Sequence, residues 1–174
     1  MKAKYLSLLL LACVPAFGSP EPLDDLRKSA ESGNEKAMYI LGSQYEYGYG
    51  GVEQDEEKAV YWYRKMADMG YAVGQYALGN CYLEGKGVEQ DLARAVNWYR
   101  KAAEQDDGSS QAILADCYYE GRGVEKNEEK AFLWMQKAAE KDALDSSLKL
   151  GLYHAAGVGV TKNQMLAVDW IRKA

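Results

Sequence analysis

The sequence predicts an all-α fold in which pairs of helices repeat every 36 residues and stack in a row. The first observation is that all the tryptophans share this spacing: Trp62, Trp98, Trp134 and Trp170. The second is that a Gly-Val pair keeps the same step, at 51–52, 87–88, 123–124 and 159–160. The third is composition, because only 3 of the 174 residues are proline and good helix formers are common.

The N-terminal segment 1–18 has the pattern of a secretory signal peptide. Lys2 and Lys4 precede a short apolar run over 5–14, and small residues follow, which favours cleavage after Gly18. The apolar run is shorter than the ~20 residues that cross a bilayer, so no membrane span is expected. We therefore predict a periplasmic or secreted protein.

Two alternatives exist for this segment. It could stay attached as an N-terminal anchor, or Cys13 could be acylated, as in a lipoprotein. Leu11 is a poor match to the lipoprotein pattern. The net charge of −5 gives no reason to expect nucleic acid as a partner, because nucleic acid requires a basic face.

The mature chain over 19–174 is predicted to be one repeat domain. It begins with a half-repeat, a single helix within 22–33 that resembles the end of the later second helices. The full repeats are predicted at 37–72, 73–108, 109–144 and 145–174. Each is expected to contain two helices.

The first helix of each repeat carries a buried stripe with a spacing of four residues. A small residue lies four positions before a leucine, and a tyrosine or histidine lies four positions after it. The small residues are Ala37, Gly74, Ser110 and Ser146; the leucines are Leu41, Leu78, Leu114 and Leu150; the last set is Tyr45, Tyr82, Tyr118 and His154.

The second helix of each repeat has one broad apolar face. In the second repeat this face holds Ala95, Trp98, Tyr99, Ala102 and Ala103, while Arg94, Arg100 and Lys101 lie off it. A helix pair of this kind cannot bury its own apolar surface, so neighbouring repeats must stack.

The glycine-rich segments between the two helices are predicted to be turns. Glycines end the first helices in a left-handed conformation, a second glycine lets the chain reverse, and the following valine points inward. Side chains suited to the N-cap then start the next helix: Asp55, Asp91, Asn127 and Asn163. A phosphate-binding loop follows a strand, and no strand is predicted before these loops. The acidic residues are too few for a calcium-binding loop.

The string L-G-x-x-Y-x-x-G-x-G-V, then D or N, then K-A-x-x-W-Y-x-K-A-A, resembles the Sel-one-like repeat, a relative of the tetratricopeptide repeat. The resemblance extends over 23–174, with departures at Ala115 and His154 and a last helix that stops about a turn early at Ala174. It implies a right-handed α-α superhelix whose first helices line a concave groove. Members of this family act mostly as adaptors that hold other proteins, and exported bacterial members assist envelope assembly, signalling or host contact.

The groove-lining positions of that superfamily fall on a stripe of the first helices. In this sequence they are Tyr39, Ser43, Glu46, Tyr47, Tyr76, Asn80, Leu83, Glu84, Asp116, Tyr119, Glu120, Leu148, Leu152 and Ala155. The early repeats combine tyrosine with acids and the last is apolar, so we expect a peptide with basic residues at one end and apolar residues at the other. The alternative is that half of these side chains only pack between helices.

An enzyme is the second class of function that we consider. Ser146 and Lys149 have the S-x-x-K spacing of penicillin-recognising enzymes, and some exported members of this family have been linked to penicillin binding. Ser146 is also the small residue of a repeat, however, and neither S-D-N nor K-T-G is present. We therefore predict a protein that is not an enzyme.

Three further features complete the sequence predictions. His154, the single histidine, is expected to pack rather than to bind metal, and no cofactor is expected. Cys81 and Cys117 occupy equivalent positions, which stacked helices hold about 8–10 Å apart, so we expect two reduced thiols. Trp170 and Ile171 on the last helix are expected to be partly exposed, so that either another chain covers them, which allows self-association through this helix, or the end of the helix frays.

Overall fold

The structure is a computed structural model and describes residues 23–141, 143 and 145–174. The predicted signal peptide and Cys13 lie outside the described residues. All regular elements in the described ranges are helices, as predicted. They are α1 (Leu23–Glu31), α2 (Glu35–Tyr47), α3 (Glu56–Asp68), α4 (Ala72–Glu84), α5 (Leu92–Glu104), α6 (Gly108–Glu120), α7 (Glu128–Glu140), α8 (Ser146–Ala156) and α9 (Gln164–Lys173).

Each helix packs mainly on the helices before and after it in the chain. Such packing between consecutive elements is the mark of a solenoid, in which every repeat touches only its neighbours. Helix α1 is the lead-in, and the pairs α2–α3, α4–α5, α6–α7 and α8–α9 follow. The predicted all-α superhelix of helical hairpins is confirmed. No helix in the described ranges is long and apolar enough to cross a membrane.

The turns have the predicted geometry. Gly48, Gly85, Gly121 and Gly157 end the first helices with φ of 67°, 73°, 75° and 81°. At the start of each second helix the predicted N-cap side chain accepts a backbone hydrogen bond from the residue three positions on, at 2.8–3.1 Å. Local chemistry therefore sets both helix ends in every repeat.

The second glycine of the later turns does more than let the chain reverse. A Cβ on Gly87 would collide with the backbone carbonyl of Glu56, at the start of the second helix of the preceding repeat. Gly123 and Gly159 meet the preceding second helices in the same way. Among the described residues, no atom lies within 4 Å of the Cβ position of Gly51. These glycines permit close contact between repeats.

The predicted core stripe is buried in all four repeats. Leu41, Leu78, Leu114 and Leu150 are fully buried, and the tyrosines and His154 four residues later are also buried. His154 packs edge-on against Phe132, with ring centroids 5.2 Å apart, which confirms the packing interpretation. Three of the loop valines, Val52, Val88 and Val124, pack against this core; in the last turn Val158 does so rather than Val160.

Ala115 departs from the repeat pattern for a visible reason. The equivalent Gly42 and Gly79 lie directly against the rings of Tyr63 and Tyr99, which leave no room for a Cβ. The third repeat has Met135 where those tyrosines stand, and a flexible methionine accommodates the extra carbon in the same buried cluster.

The indoles pack at the edge of the core. Trp62 is buried and the other three are half-buried. A lysine three residues later lies over each ring, with Nζ 3.8–5.2 Å from the centroid: Lys65, Lys101, Lys137 and Lys173. This arrangement shields the outer part of each indole and keeps a charge in water.

The two cysteines in the described part of the chain, Cys81 and Cys117, are free and buried. Burial raises the pKa of the Cys81 thiol to about 12 and also raises that of Cys117. Both thiols are therefore protonated and poor nucleophiles at neutral pH.

Candidate partner-binding face

The residues predicted to line a groove occupy equivalent positions on α2, α4, α6 and α8, so they lie on the same side of the array. Their exposure differs widely. Tyr47 is 67% exposed, Leu152 is 52% exposed and Tyr39 is 43% exposed, whereas the polar residues Ser43, Asn80 and Asp116 are half-buried. The face thus combines accessible aromatic and apolar side chains with polar groups set deeper between the helices.

The deeper polar positions are bridged to neighbouring helices. The hydroxyl of Tyr99 on α5 donates to Oδ1 of Asn80 at 2.7 Å. Lys149 Nζ on α8 donates to Oδ2 of Asp116 at 2.6 Å. Because these polar atoms have partners within the chain, Asn80 and Asp116 contribute to the rigidity of the face at least as much as to its chemistry.

Aromatic contacts also run across the face. The rings of Tyr76 and Tyr99 lie 6.2 Å apart, and those of Tyr119 and Tyr153 lie 5.5 Å apart. In each pair the ring from the predicted stripe rests on a buried ring. Burial raises the pKa of Tyr99 and of Tyr153 well above the usual range, so these hydroxyls are neutral donors.

Acidic residues at the ends of α4 and α6 are already paired. Glu84 forms a salt bridge with Lys86 at 2.5 Å, and Glu120 forms one with Arg122 at 2.6 Å. All four side chains are between 43% and 50% exposed, so these pairs are weak and can exchange with a partner's charges. Leu83, half-buried beside the first pair, packs against the core.

The fourth repeat presents an apolar part of the face. Leu148 is 40% exposed, Leu152 is 52% exposed and Ala155 is half-buried. On the adjacent α9, Ile171 is 42% exposed although its counterparts Tyr99 and Met135 are fully buried. Trp170 is half-buried, in agreement with the predicted partial exposure of this end.

Sequence reasoning missed three side chains that shape this face. Tyr63 comes from a second helix, yet its hydroxyl donates to Oε2 of Glu46 at 2.7 Å. Tyr49 lies in the first turn and is 48% exposed. Lys149 was considered only as a partner of Ser146, and it binds Asp116 instead. The one available signal was the first turn itself, where Tyr49 replaces the basic residue of the next two turns.

The geometry does not favour the hydrolase alternative. Ser146 is 1% exposed, and its Oγ has no hydrogen-bond partner in the described structure. A nucleophilic serine requires a base within hydrogen-bond reach and access for the substrate, and Ser146 has neither. Within the described residues no group of three or more His, Cys, Asp or Glu side chains could hold a metal ion.

Comparison with known proteins places these observations in context. The family model described as Sel1 repeat matches residues 35–71, 72–107, 108–142 and 144–174. Among curated proteins, the ERAD-associated E3 ubiquitin-protein ligase component HRD3A of Arabidopsis thaliana is 36% identical over 67 residues, which is 38% of this chain and 10% of that protein.

Solved structures similar to this chain include three whose sequences are 26–37% identical to it. The protein c5321, a protective antigen of uropathogenic Escherichia coli strains displaying an SLR fold, has a TM-score of 0.83 and 37% identity over 87% of this chain and 32% of its own. A Sel1 repeat protein from Oxalobacter formigenes has a TM-score of 0.76 and 32% identity, and the match covers 85% of this chain and 66% of that protein. Cysteine rich protein B of Helicobacter pylori has a TM-score of 0.55 and 26% identity, and the match covers 74% of this chain and 97% of that protein. The chain therefore spans a tenth of HRD3A and about a third of c5321.

Proposed function

Because this chain belongs to the Sel1 repeat family, whose repeats commonly mediate protein–protein interaction, we propose that it is an exported scaffold that holds a peptide or protein partner. The partner lies along the face formed by the first helices. The observation that supports this best is the row of exposed aromatic and apolar side chains on that face: Tyr39, Tyr47, Tyr119, Leu148 and Leu152. Aromatic anchors backed by rigid neighbours are typical of binding surfaces.

A peptide in extended or helical form suits this surface. Large exposed tyrosines supply contact area with few rotatable bonds, so little conformational entropy is lost on binding. The bridged residues Asn80 and Asp116 hold the underlying helices in one arrangement, which lowers the reorganisation needed when a partner binds.

The test uses a random-peptide display library selected on the purified protein. The variant with both Tyr76→Ala and Tyr119→Ala should lose binding of the selected peptides while keeping its helical circular dichroism. Tyr61→Ala is the matched control, because Tyr61 is 59% exposed but lies on a second helix. Selected peptides that bind the double variant as well as they bind the unaltered protein would contradict the proposal.

Export is the second part of the proposal and is supported by the pattern of the first 18 residues. N-terminal sequencing of the protein from a periplasmic or culture-medium fraction should begin at Ser19. A lipid on Cys13 would instead favour the lipoprotein alternative, and an unprocessed protein in the cytoplasm would contradict export.

Self-association through α9 is the last part of the proposal. Its support is the exposure of Met165, Val168 and Ile171, which are 80%, 43% and 42% exposed. Analytical ultracentrifugation should show a dimer that Ile171→Glu converts to a monomer. A concentration-independent monomer would contradict it.

A further inference from the structure

Glu46 lies among tyrosines on the first repeat. Its Oε2 accepts a 2.7 Å hydrogen bond from the hydroxyl of Tyr63, and the ring of Tyr39 lies near that of Tyr63, with centroids 6.2 Å apart. Burial raises the pKa of Tyr47, and the charge of neighbouring Glu46 and a hydrogen bond to it raise it further. The phenol of Tyr47 is therefore neutral at physiological pH.

The rings around Glu46 are accessible from outside. Tyr39 is 43% exposed, Tyr47 is 67% exposed and Tyr49 is 48% exposed, whereas Glu46 itself is half-buried. A carboxylate at the base of a set of exposed rings offers a negative charge and several π faces to one ligand group. The partial burial of the carboxylate strengthens its interaction with an incoming charge, because less water screens it.

Among the described residues, Glu46 differs from the other acids of this face in forming no salt bridge. Glu84 and Glu120 are neutralised by Lys86 and Arg122, which lie one residue past the glycine that ends each first helix. Tyr49 occupies that position in the first turn. Within the described residues no salt bridge involves Glu46, and Lys86, which attracts it at longer range, is itself held by Glu84.

We propose that the first repeat binds an arginine or lysine side chain of the partner peptide, in a site formed by Tyr39, Glu46, Tyr47 and Tyr49. The proposal rests on the proposed function, since it assigns the chemistry of one end of the same face. The cation pairs with the carboxylate and lies over the tyrosine rings, and the two interactions favour a positive group over a neutral or anionic one. Arginine suits the site best, because its planar guanidinium stacks on rings while donating to a carboxylate.

This assignment also gives the peptide a direction. The cation lies at the first repeat, and the apolar side chains Leu148 and Leu152 lie at the fourth. A peptide along the face thus places its basic residue near α2 and its apolar residues near α8.

The experiment measures binding of peptides from the same display selection by fluorescence anisotropy at low ionic strength. Replacing the basic residue of a selected peptide by glutamine should weaken its binding to the unaltered protein about tenfold, as expected for a cation on a half-buried carboxylate and aromatic rings. On Glu46→Gln, which keeps an acceptor for Tyr63, the same replacement should have little effect. Tyr49→Lys introduces the basic residue that the next two turns have at this position, and it should weaken the binding of the original peptide to a similar degree.

The control is Glu57→Gln, which removes one exposed charge from α3 and should leave affinity unchanged. Two outcomes would overturn this inference alone, in peptides that do lose binding to the Tyr76 and Tyr119 double variant. Either the selected peptides carry no basic residue, or their affinity is unchanged on Glu46→Gln. A library that yields no binding peptide at all would overturn the proposed function together with it.

Discussion

Arg100 Nη2 on α5 donates a 3.3 Å hydrogen bond to the hydroxyl of Tyr118 on α6. The bond ties the second helix of one repeat to the first helix of the next. The same bond recurs from Arg27 to Tyr45 and from Arg64 to Tyr82, each time across 18 residues. The predicted core tyrosine therefore has a second role, because its ring is buried while its hydroxyl links successive repeats.

This bond should have a measurable effect on stability. Arg100→Met and Tyr118→Phe should each lower the free energy of unfolding by about 1 kcal/mol, the usual net contribution of such a hydrogen bond. Because they remove the same interaction, the double variant should lose about as much as either single one. Urea denaturation followed by circular dichroism measures all four proteins. Fully additive losses would show that the two side chains act independently.

The fourth repeat lacks this bond and should gain stability when it is restored. Gln136 and His154 stand where the other repeats have arginine and tyrosine, and the buried Nδ1 of His154 has no hydrogen-bond partner among the described residues. Combining Gln136→Arg with His154→Tyr should raise the free energy of unfolding by about 1 kcal/mol. The measurement is again urea denaturation. A double variant no more stable than the better single variant would argue against the pairing.

Glycine at the second turn position should matter most where repeats meet. Gly51 and Gly87 both have positive φ, 88° and 64°, so alanine strains either backbone by about 1 kcal/mol. Gly87→Ala also forces a collision with the Glu56 carbonyl and should cost at least about 2 kcal/mol more than Gly51→Ala. Thermal unfolding of the two variants provides the comparison. Equal losses would mean that the backbone conformation alone requires glycine.

Alkaline pH should destabilise the fold. Burial raises the pKa of Cys81 from 9.0 to about 12, and it also raises the pKa of Tyr63. Between pH 9 and about 12 the Cys81 thiol releases its proton in the unfolded chain but keeps it in the folded chain. The free energy of unfolding is therefore at its full value below about pH 9 and falls as the pH rises towards 12. Cys81→Ala should make this decline shallower in urea titrations across that range. An identical decline would show that Cys81 does not contribute.

The proposed cation site shows where sequence reasoning on function stops. The predicted stripe included Tyr39, Glu46 and Tyr47 because it followed positions on the first helices. Tyr63 was left out because it belongs to a second helix, although its hydroxyl binds Glu46. The stripe also treated Glu46 and Glu84 alike, and only the salt bridge to Lys86 separates a neutralised acid from one that lacks a cation.

The amino-acid sequence by itself determined the repeat, the helix ends and the buried stripe, because caps, turns and apolar periodicity act between residues close together in the chain. The tertiary structure decided which polar groups on the first-helix face are already paired and how closely the repeats approach. Two of the contacts that settle this join residues more than 30 positions apart: Lys149 with Asp116, and Gly87 with Glu56. They depend on how one repeat is rotated against the next, and side-chain packing over the whole array sets that rotation.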